Sequence, residues 1–599
     1  MYDLLGWFST ADTKNSPSEL VRTIFPACQN LEIHALSALA SGKNGKIGKK
    51  DDTIALVTGT PRWRNDGETE SSRDTDIAAS IAAAFRREGP EFLQRLTGTF
   101  SLAVFDSRTR QGLLAIDRMG VCPLAYAAAP EALIFSGDIN LLTAHPALNT
   151  RLNPQALMAY LYFHMIPAPL SIYEGIDKLL PGHYLYWNKG SITIHRYWLP
   201  RFEDLSGNER ELATELRRKL KTAVSQALPG EESPGTFLSG GLDSSTVTGL
   251  CRQLHPETEA FSIGFSAKGY DEMEYARAAA RHFGLPLHEH YVTPEDVVKA
   301  IPLIAQTYDE PFGNASAVPT YYCALLARNN GKSRLLAGDG GDELFAGNER
   351  YGKQKMFALY QNIPSWMRTH FIEPVVQTLP SISMVGKLKS YVDQAKIPMP
   401  DRMETYNFLH RSPLEEIFEH DFLASIDHHW PLSHIQETYS APDTNSMLKR
   451  MLYLDWKITL ADNDLRKVNR MCTQAGVDVR YPMLDMNVVN LAATIPDRML
   501  MKGFELRSFY RNTFSDFLPP TTLEKRKHGF GLPFGLWLRS NPALQEIAYD
   551  SLGSRHFSGI IRRDYLDRLK SQHQSGHASY YGVMIWVLMM WSQWAESHH

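Results

Sequence analysis

Along the first 200 positions the apolar residues fall in short runs. IALVTG (Ile54–Gly59), FSLAVFD (Phe100–Asp106), GLLAID (Gly112–Asp117) and ALIFSG (Ala132–Gly137) are of strand length, apolar or alternating, and bounded by turn residues. One helical span, Thr75–Glu88, is set among them. This succession predicts packed antiparallel sheets with few helices, an α+β or layered-sandwich arrangement. Beyond Trp198 the period changes. A charged stretch, Arg201–Arg210, runs into a helical pattern reaching Ala227, and a polar break, Pro229–Pro234, follows. Strands and helices then alternate. The predicted strands are Gly235–Leu238, Ala260–Phe265, His288–Val292 and Arg334–Ala337, and the predicted helices are Ser245–Leu254, Asp271–Phe283, Pro294–Tyr308 and Val318–Asn329. Alternation at this spacing predicts an α/β domain, a parallel sheet covered by helices. The remainder is helical by periodicity. Its most apolar stretch, Tyr580–Trp594, falls short of the ~20 residues a membrane-spanning helix needs, so a buried helix is expected and no stable membrane insertion.

Composition narrows the function. The 599 residues carry 62 Lys+Arg against 66 Asp+Glu, a net charge of −4, which argues against a surface built for nucleic acid. Hydrophobic residues at 43% and charged residues at 21% are ordinary globular usage. The five cysteines show no CxxC pairing, which fits neither a disulfide scaffold nor a zinc cluster and points to a reducing, cytoplasmic setting. No targeting segment is expected.

Two segments carry candidate chemistry. FLSGGLDSST (Phe237–Thr246) puts a strand end, two glycines and a Ser-Ser pair at the start of a helix. Backbone N–H groups and hydroxyls converge there on a positive helix end, as a phosphate or pyrophosphate requires. Asp243 would repel a phosphate directly, but it fits as a ligand of Mg2+ bridging to phosphates. The set Ser239, Gly240, Gly241, Asp243, Ser244 and Ser245 is more specific than a glycine-rich turn, and no Gly-Lys-Ser/Thr follows to make it a Walker loop. LLAGDGGDELFAGNERY (Leu335–Tyr351) also begins at a predicted strand end. Ligands of open parallel sheets lie outside the carboxyl ends of the strands, so the two loops are expected to face one another. Asp339, Asp342 and Glu343 among glycines give hard oxygen ligands with little bulk, although alone the stretch also reads as an exposed turn. His282, His288 and His290 lack a tight ligand spacing, and packing or surface roles are expected.

Together, SGGLDSS and GDGGDELFAG resemble the ATP-pyrophosphatase domain of asparagine synthetases and their relatives, including β-lactam synthetases and lasso-peptide cyclases. Tyr270–Arg277 (YDEMEYAR), Val477–Asp485 (VDVRYPMLD) and Arg526–Leu538 (RKHGFGLPFGLWL) extend the resemblance. LTGTFSLAVFD, Leu114–Tyr126 and Gly175–His183 (GIDKLLPGH) are similar to the family's glutamine amidotransferase domain. The resemblance implies an Ntn-hydrolase-like layered sandwich over residues 1–198 and an ATP-pyrophosphatase-type parallel-sheet domain with a helical C-terminal part over residues 210–599. It implies that ATP lies across the strand ends, with Leu238 and Ile263 near the adenine nucleotide and Ala337–Gly338 beside it. Asp243 and Asp342 match the metal-binding acids, and Lys527 the lysine at the reacting centre. Without the resemblance Lys527 would read as part of a solvated basic turn. Asp339 stands where the family has a glutamate. The implied reaction is amide formation: a carboxylate attacks the α-phosphorus of ATP, pyrophosphate leaves, and an amine displaces AMP. Magnesium and Lys527 are expected to stabilise the charge developing on the phosphates.

The pattern is broken in places. Glutamine-hydrolysing members carry a cysteine directly after the initiator Met, and Tyr2 stands there. Thr58-Gly59-Thr60 replaces Asn-Gly-Glu, and Asp74-Thr75-Asp76 replaces Asp-Thr-Glu. A degenerate amidotransferase domain is therefore expected, with Cys28 and Cys122 in packing roles and the amine supplied by ammonia or by the acceptor. In DNDLRKVNRM an Asn469 replaces a frequent Asp, and Asp478 replaces a Glu, at positions near the acceptor in relatives. Aspartate is the first candidate for the activated carboxylate. A peptide side chain or a sugar uronic acid remains the alternative, with a nucleotide-binding relative that lacks activity as a third reading. A homodimer stays open.

Overall fold

The computed structural model describes residues 4–10, 17–34, 36–64, 76–204, 207–228, 233–267, 269–378, 383–525 and 531–599. Two six-stranded sheets occupy the first 200 residues. In spatial order, one runs Ile176–Lys178, Ala125–Ala129, Ala132–Ser136, Leu4–Ser9, Ser37–Ser41, Asn30–His34. The other runs Ser191–Arg196, His183–Asn188, Gln111–Ile116, Leu96–Asp106, Thr53–Trp63, Lys46–Lys50. Every pairing is antiparallel. The period-2 alternation of a strand explains the layering. Leu4 and Phe8 enter the core between the sheets, where Phe8 lies 5.2 Å from Phe105 and 4.8 Å from Phe135, centroid to centroid. Leu5 and Trp7 enter a core shared with the C-terminal half, so the two halves are packed as one body. The Ile77–Glu88 helix covers the second sheet with Ile77, Ile81 and Phe85. Asp76 caps this helix by accepting from the Ala79 N–H, which gives the acid of the altered Asp-Thr-Asp segment a structural task. Asp74 and Thr75 lie outside the described residues.

The third sheet is parallel throughout, in the order Leu287–Val292, Glu259–Phe265, Gly235–Phe237, Arg334–Leu336, Asp478–Arg480. Its fifth strand was not predicted. Only Val479 of its three residues is apolar, so no apolar run marks it, and its register is held by the Arg334–Asp478 ion pair at 2.9 Å. The order of strands reverses between Gly235–Phe237 and Arg334–Leu336, the place where an open α/β sheet leaves a crevice. The last helix, Ala578–His598, buries Trp586, Trp591 and Trp594 as expected, and its Val587 carbonyl accepts from the Tyr160 hydroxyl at 2.7 Å. No helix among the described residues is long and apolar enough to cross a membrane.

A buried ion network joins the halves. Arg466 pairs with Asp309 at 2.7 Å and Glu310 at 2.6 Å, Lys178 reaches Glu310 at 2.7 Å, and Arg470 reaches Asp138 at 2.7 Å. Asp309 and Glu310 also accept from the Ile139 and Ile172 N–H groups, so each carboxylate is satisfied from both sides. Asn469 belongs to this interface. It donates to the Val121 carbonyl at 2.8 Å and accepts from the Tyr481 hydroxyl at 2.7 Å. Asp478 is ion-paired to Arg334 and Arg480. Neither is among the residues lining the cleft described next: a buried amide and a doubly paired carboxylate have their hydrogen bonds filled by the protein.

Candidate active site

The loops after Gly235–Phe237 and Arg334–Leu336 do face one another across the crevice. The helix of the first loop begins at Leu242, three residues before the sequence expectation, with Gly241 as its cap and no side chain capping it. Asp243 and Ser244 thus stand in its first turn, among N–H groups that have no intrahelical partner. Gly240 turns the chain at φ +70°, and a side chain there would strike the Tyr275 backbone at 2.3 Å. Ser239 and Ser244 close the loop with their hydroxyls 3.0 Å apart. In the second loop, a Cβ on Gly341 would lie 2.0 Å from Asp243 Oδ1, so only glycine lets the loops approach this closely.

Between the loops opens a cavity of about 650 Å3. Its lining includes the apolar side chains of Phe237, Leu238, Phe261, Ile263, Pro319 and Val468 together with charged ones. Of the residues singled out from the sequence, Leu238, Ser239, Gly241, Asp243, Ser244, Ile263, Gly338, Asp339 and Asp342 line it. Gly240, Ser245, Ala337 and Glu343 do not. Ser245 is fully buried on the inner side of its helix, and Ala337 is buried beneath the second loop. These residues shape the crevice from behind. Lys527 lies outside the described residues.

The cavity brings in cations that sequence motifs did not single out. Arg507 places Nη1 2.6 Å from Asp243 Oδ2 and 2.9 Å from Asp342 Oδ1, while Nη2 bonds the other Asp243 oxygen. Its backbone sits at φ +59°, a region a non-glycine residue rarely enters, and its guanidinium lies 4.5 Å from the Tyr510 ring centroid. Lys525 donates to the Ser239 carbonyl at 3.0 Å and pairs with Glu272 at 3.0 Å. Lys467 pairs with Asp464 at 2.8 Å and shares the field of Asp339. Burial pushes the Asp339 carboxyl up to about 6, against the pull of Lys467. Seven acids (Asp243, Glu272, Asp339, Asp342, Glu349, Glu505, Glu524) and four cations (Lys467, Arg507, Arg511, Lys525) line the cavity among the described residues. A polyphosphate entering so acidic a site needs further positive charge. Asp243 and Asp342 fit a divalent cation: two hard oxygens from different loops already meet at one point, where a guanidinium stands in for it.

The segments that differ from a glutaminase pair across the strands, and Thr60 also accepts from Arg480 Nη1 at 3.1 Å. Thr58 Oγ1 lies 2.7 Å from Ser101 Oγ, and Thr60 Oγ1 3.1 Å from Thr99 Oγ1, each hydroxyl paired across the strands. Cys122 is fully buried, and burial beside Asp117 pushes its thiol up to about 12; burial raises Cys28 as well. Tyr2 lies outside the described residues. His288 and His290 are held by Glu259 at 2.6 Å and Asp296 at 3.2 Å, and His282 faces the Phe517 carbonyl. No cluster of three metal-ligating side chains occurs among the described residues.

Known proteins bear on this geometry. Residues 215–596 match the asparagine synthase family and residues 62–198 the glutamine amidotransferase domain family. The asparagine synthetase [glutamine-hydrolyzing] 1 of Bacillus subtilis (strain 168) is 25% identical over 525 residues, covering 87% of this chain and 80% of that one. A putative asparagine synthetase [glutamine-hydrolyzing] of Mycobacterium tuberculosis (strain ATCC 25618 / H37Rv) is 25% identical, over 86% of this chain and 79% of that one. A putative asparagine synthetase [glutamine-hydrolyzing] 2 of Methanocaldococcus jannaschii is 29% identical, over 69% of this chain and 79% of that one. With nearly two thirds of its length matched, and with both family loops meeting at the reversal point of a parallel sheet, this chain belongs to the asparagine synthase family.

Proposed function

We propose that the chain is an ATP-dependent amide-forming ligase that activates a carboxylate as its acyl-adenylate, with pyrophosphate as the product of that step, and then transfers an amine. One observation carries this reading: Asp243, in the first turn of an uncapped helix, and Asp342, from the facing loop, converge on a single cation position. The N–H groups of that helix end, with the Ser239 and Ser244 hydroxyls, bind the β- and γ-phosphates that leave as pyrophosphate. Leu238, Phe261 and Ile263 take the adenine on their apolar side chains. Asp243 and Asp342 hold magnesium, which when bound neutralises charge on the phosphates. Arg507 keeps the two carboxylates together before the nucleotide enters and turns its charge to the phosphates afterwards. Asp339, titrating near neutrality, accepts the proton that the attacking amine must shed. Lys527, from the family resemblance, contacts the reacting centre. The organisation that goes with this is an amidotransferase-like half over residues 1–198 set on a synthetase half over residues 210–599.

The amine comes from ammonia or from the acceptor, because the thiols of the N-terminal half are unfit as nucleophiles: Cys122 is buried with its pKa near 12, and Cys28 is raised. Aspartate is the first candidate substrate. A second reading, a larger carboxylate on a peptide or sugar, is favoured by the rim. Aspartate brings a second carboxylate that wants a cation, whereas the described rim offers Glu349, Glu505 and the open ring of Phe504, 55% exposed. A pyrophosphate-release screen across carboxylates, with ammonia or glutamine as nitrogen source, tests both. Release with no carboxylate of any class, under conditions where the chain binds ATP, would refute the ligase reading.

A further inference from the structure

The cavity between the two loops is lined by four described cations, and three of them are spent on acids. Arg507 is shared by Asp243 and Asp342, Lys467 pairs with Asp464 at 2.8 Å, and Lys525 pairs with Glu272 at 3.0 Å. Arg511 is the exception. Among the described residues no carboxylate lies within ion-pair reach of its guanidinium, although seven acids line the same cavity. The one hydrogen bond its side chain makes to a described residue runs from Nη2 to the Leu523 carbonyl. A guanidinium is a planar fork of N–H donors, so a single carbonyl leaves most of them unfilled.

Its position identifies the anion that fills them. The Arg511 N–H donates to the Arg507 carbonyl at 2.9 Å, so the two arginines follow one another by one turn at the start of the Ser508–Thr513 helix. Arg507 stands where Asp243 and Asp342 meet. Leu523, which receives the Arg511 guanidinium, lies two residues before Lys525, whose Nζ donates to the Ser239 carbonyl of the first loop at 3.0 Å. Arg511 is thereby tied to both sides of the phosphate end of the cavity: to the cation position through Arg507 and to the first loop through the Leu523–Lys525 segment. A guanidinium without a counter-ion can engage two oxygens of one phosphate at once, and such charge-assisted contacts are among the strong ones.

We propose that Arg511 binds the terminal phosphates of ATP and holds the pyrophosphate that they become. As the carboxylate oxygen bonds to the α-phosphorus, the bond from that phosphorus to the α–β bridging oxygen breaks and its electron pair goes to the pyrophosphate, whose added charge the guanidinium meets. The inference rests on reading the cavity as an ATP site. The test titrates the full chain by calorimetry with magnesium pyrophosphate, AMP and aspartate in turn. Arg511→Gln keeps an amide donor for the Leu523 carbonyl and removes the charge. It should weaken pyrophosphate at least ~10-fold, the loss of a charge-assisted contact, and leave AMP within ~2-fold. Arg511→Lys, a point charge without the fork, should fall between that variant and the parent. Arg511→Gln binding pyrophosphate as the parent does overturns the proposal, and so does a variant that loses AMP equally, because Arg511 then only staples Leu523. Aspartate binding lost in the variant with pyrophosphate binding kept overturns it as well, and gives the fork to the carboxylate substrate. In these three outcomes the parent still binds AMP and pyrophosphate, and the ATP site stands. A parent that binds neither refutes the ATP site and this proposal with it.

Discussion

Replacing Arg507 with Met tests the counter-charge at the cation position. The side chain is 7% exposed and touches both Asp243 and Asp342, which are 16% and 24% exposed. Methionine keeps most of the volume and the contact with Tyr510, and removes the guanidinium that the two carboxylates share. Removing one partner of a buried pair costs ~3–5 kcal/mol. The partial exposure of both acids lets water relieve some of this, so the low end, about 3 kcal/mol, is expected. At about 2 °C per kcal/mol for a domain of this size, Tm falls by ~6 °C in chelator. Millimolar Mg2+ should then recover roughly half of the loss in the variant, since a bound cation stabilises the folded form by mass action. It should barely move the parent protein without nucleotide, because Arg507 holds the site. Scanning calorimetry with and without Mg2+ reads both effects. A variant as stable as the parent in chelator, or a parent stabilised by Mg2+ as much as the variant, would refute the reasoning.

Three further outcomes follow from the same geometry. Gly341→Ala puts a methyl 2.0 Å from Asp243 Oδ1 and forces the loops apart; ATP affinity by calorimetry should fall at least ~10-fold with an unchanged circular dichroism spectrum, and unchanged affinity would count against the facing loops. The Asp339 carboxyl titrates near 6 in the folded chain against 3.8 as its ordinary value, so its contribution is fully present below the lower value and is lost as pH rises through the higher one. Asp339→Asn should therefore match the parent near pH 3.5 and be more stable by ~1–2 kcal/mol near pH 8, discounted for its contact with the cleft; a parent equally stable at both ends of that range relative to the variant would contradict the shift. Cys122 should resist iodoacetamide in the native chain near pH 8 and react on denaturation, read by mass spectrometry; rapid native labelling would reopen it as a nucleophile.

The sequence reached the loops and missed their counter-charges, for a physical reason. SGGLDSS and GDGGDE are contiguous, and a strand-to-helix turn rich in glycine shows its purpose within ten residues. Arg507 acts on Asp243 from 264 positions away and on Asp342 from 165, inside no recognisable motif. Lys525 stands just before the Arg526–Leu538 segment and Lys467 inside DNDLRKVNRM, so both adjoined residues that drew the attention. Asn469 shows the same limit from the other side. Its place in the motif is legible, but its partners Val121 and Tyr481, at the interface between the halves, are not read from the motif. The strands of the first half were legible because burial on one face imposes a period of two, and the Asp478–Arg480 strand was not because Val479 is its one apolar residue between two charged ones.

The most direct measurement follows the α-phosphate. The chain is incubated with Mg2+, ATP labelled at the α-phosphorus, a carboxylate found by the screen and its amine, and the labelled products are separated. Attack at the α-phosphorus, with the β- and γ-phosphates held at the Leu242 helix end, predicts that the label appears in AMP, with pyrophosphate and amide formed in equal amounts. Label in ADP, with orthophosphate released, would contradict the account.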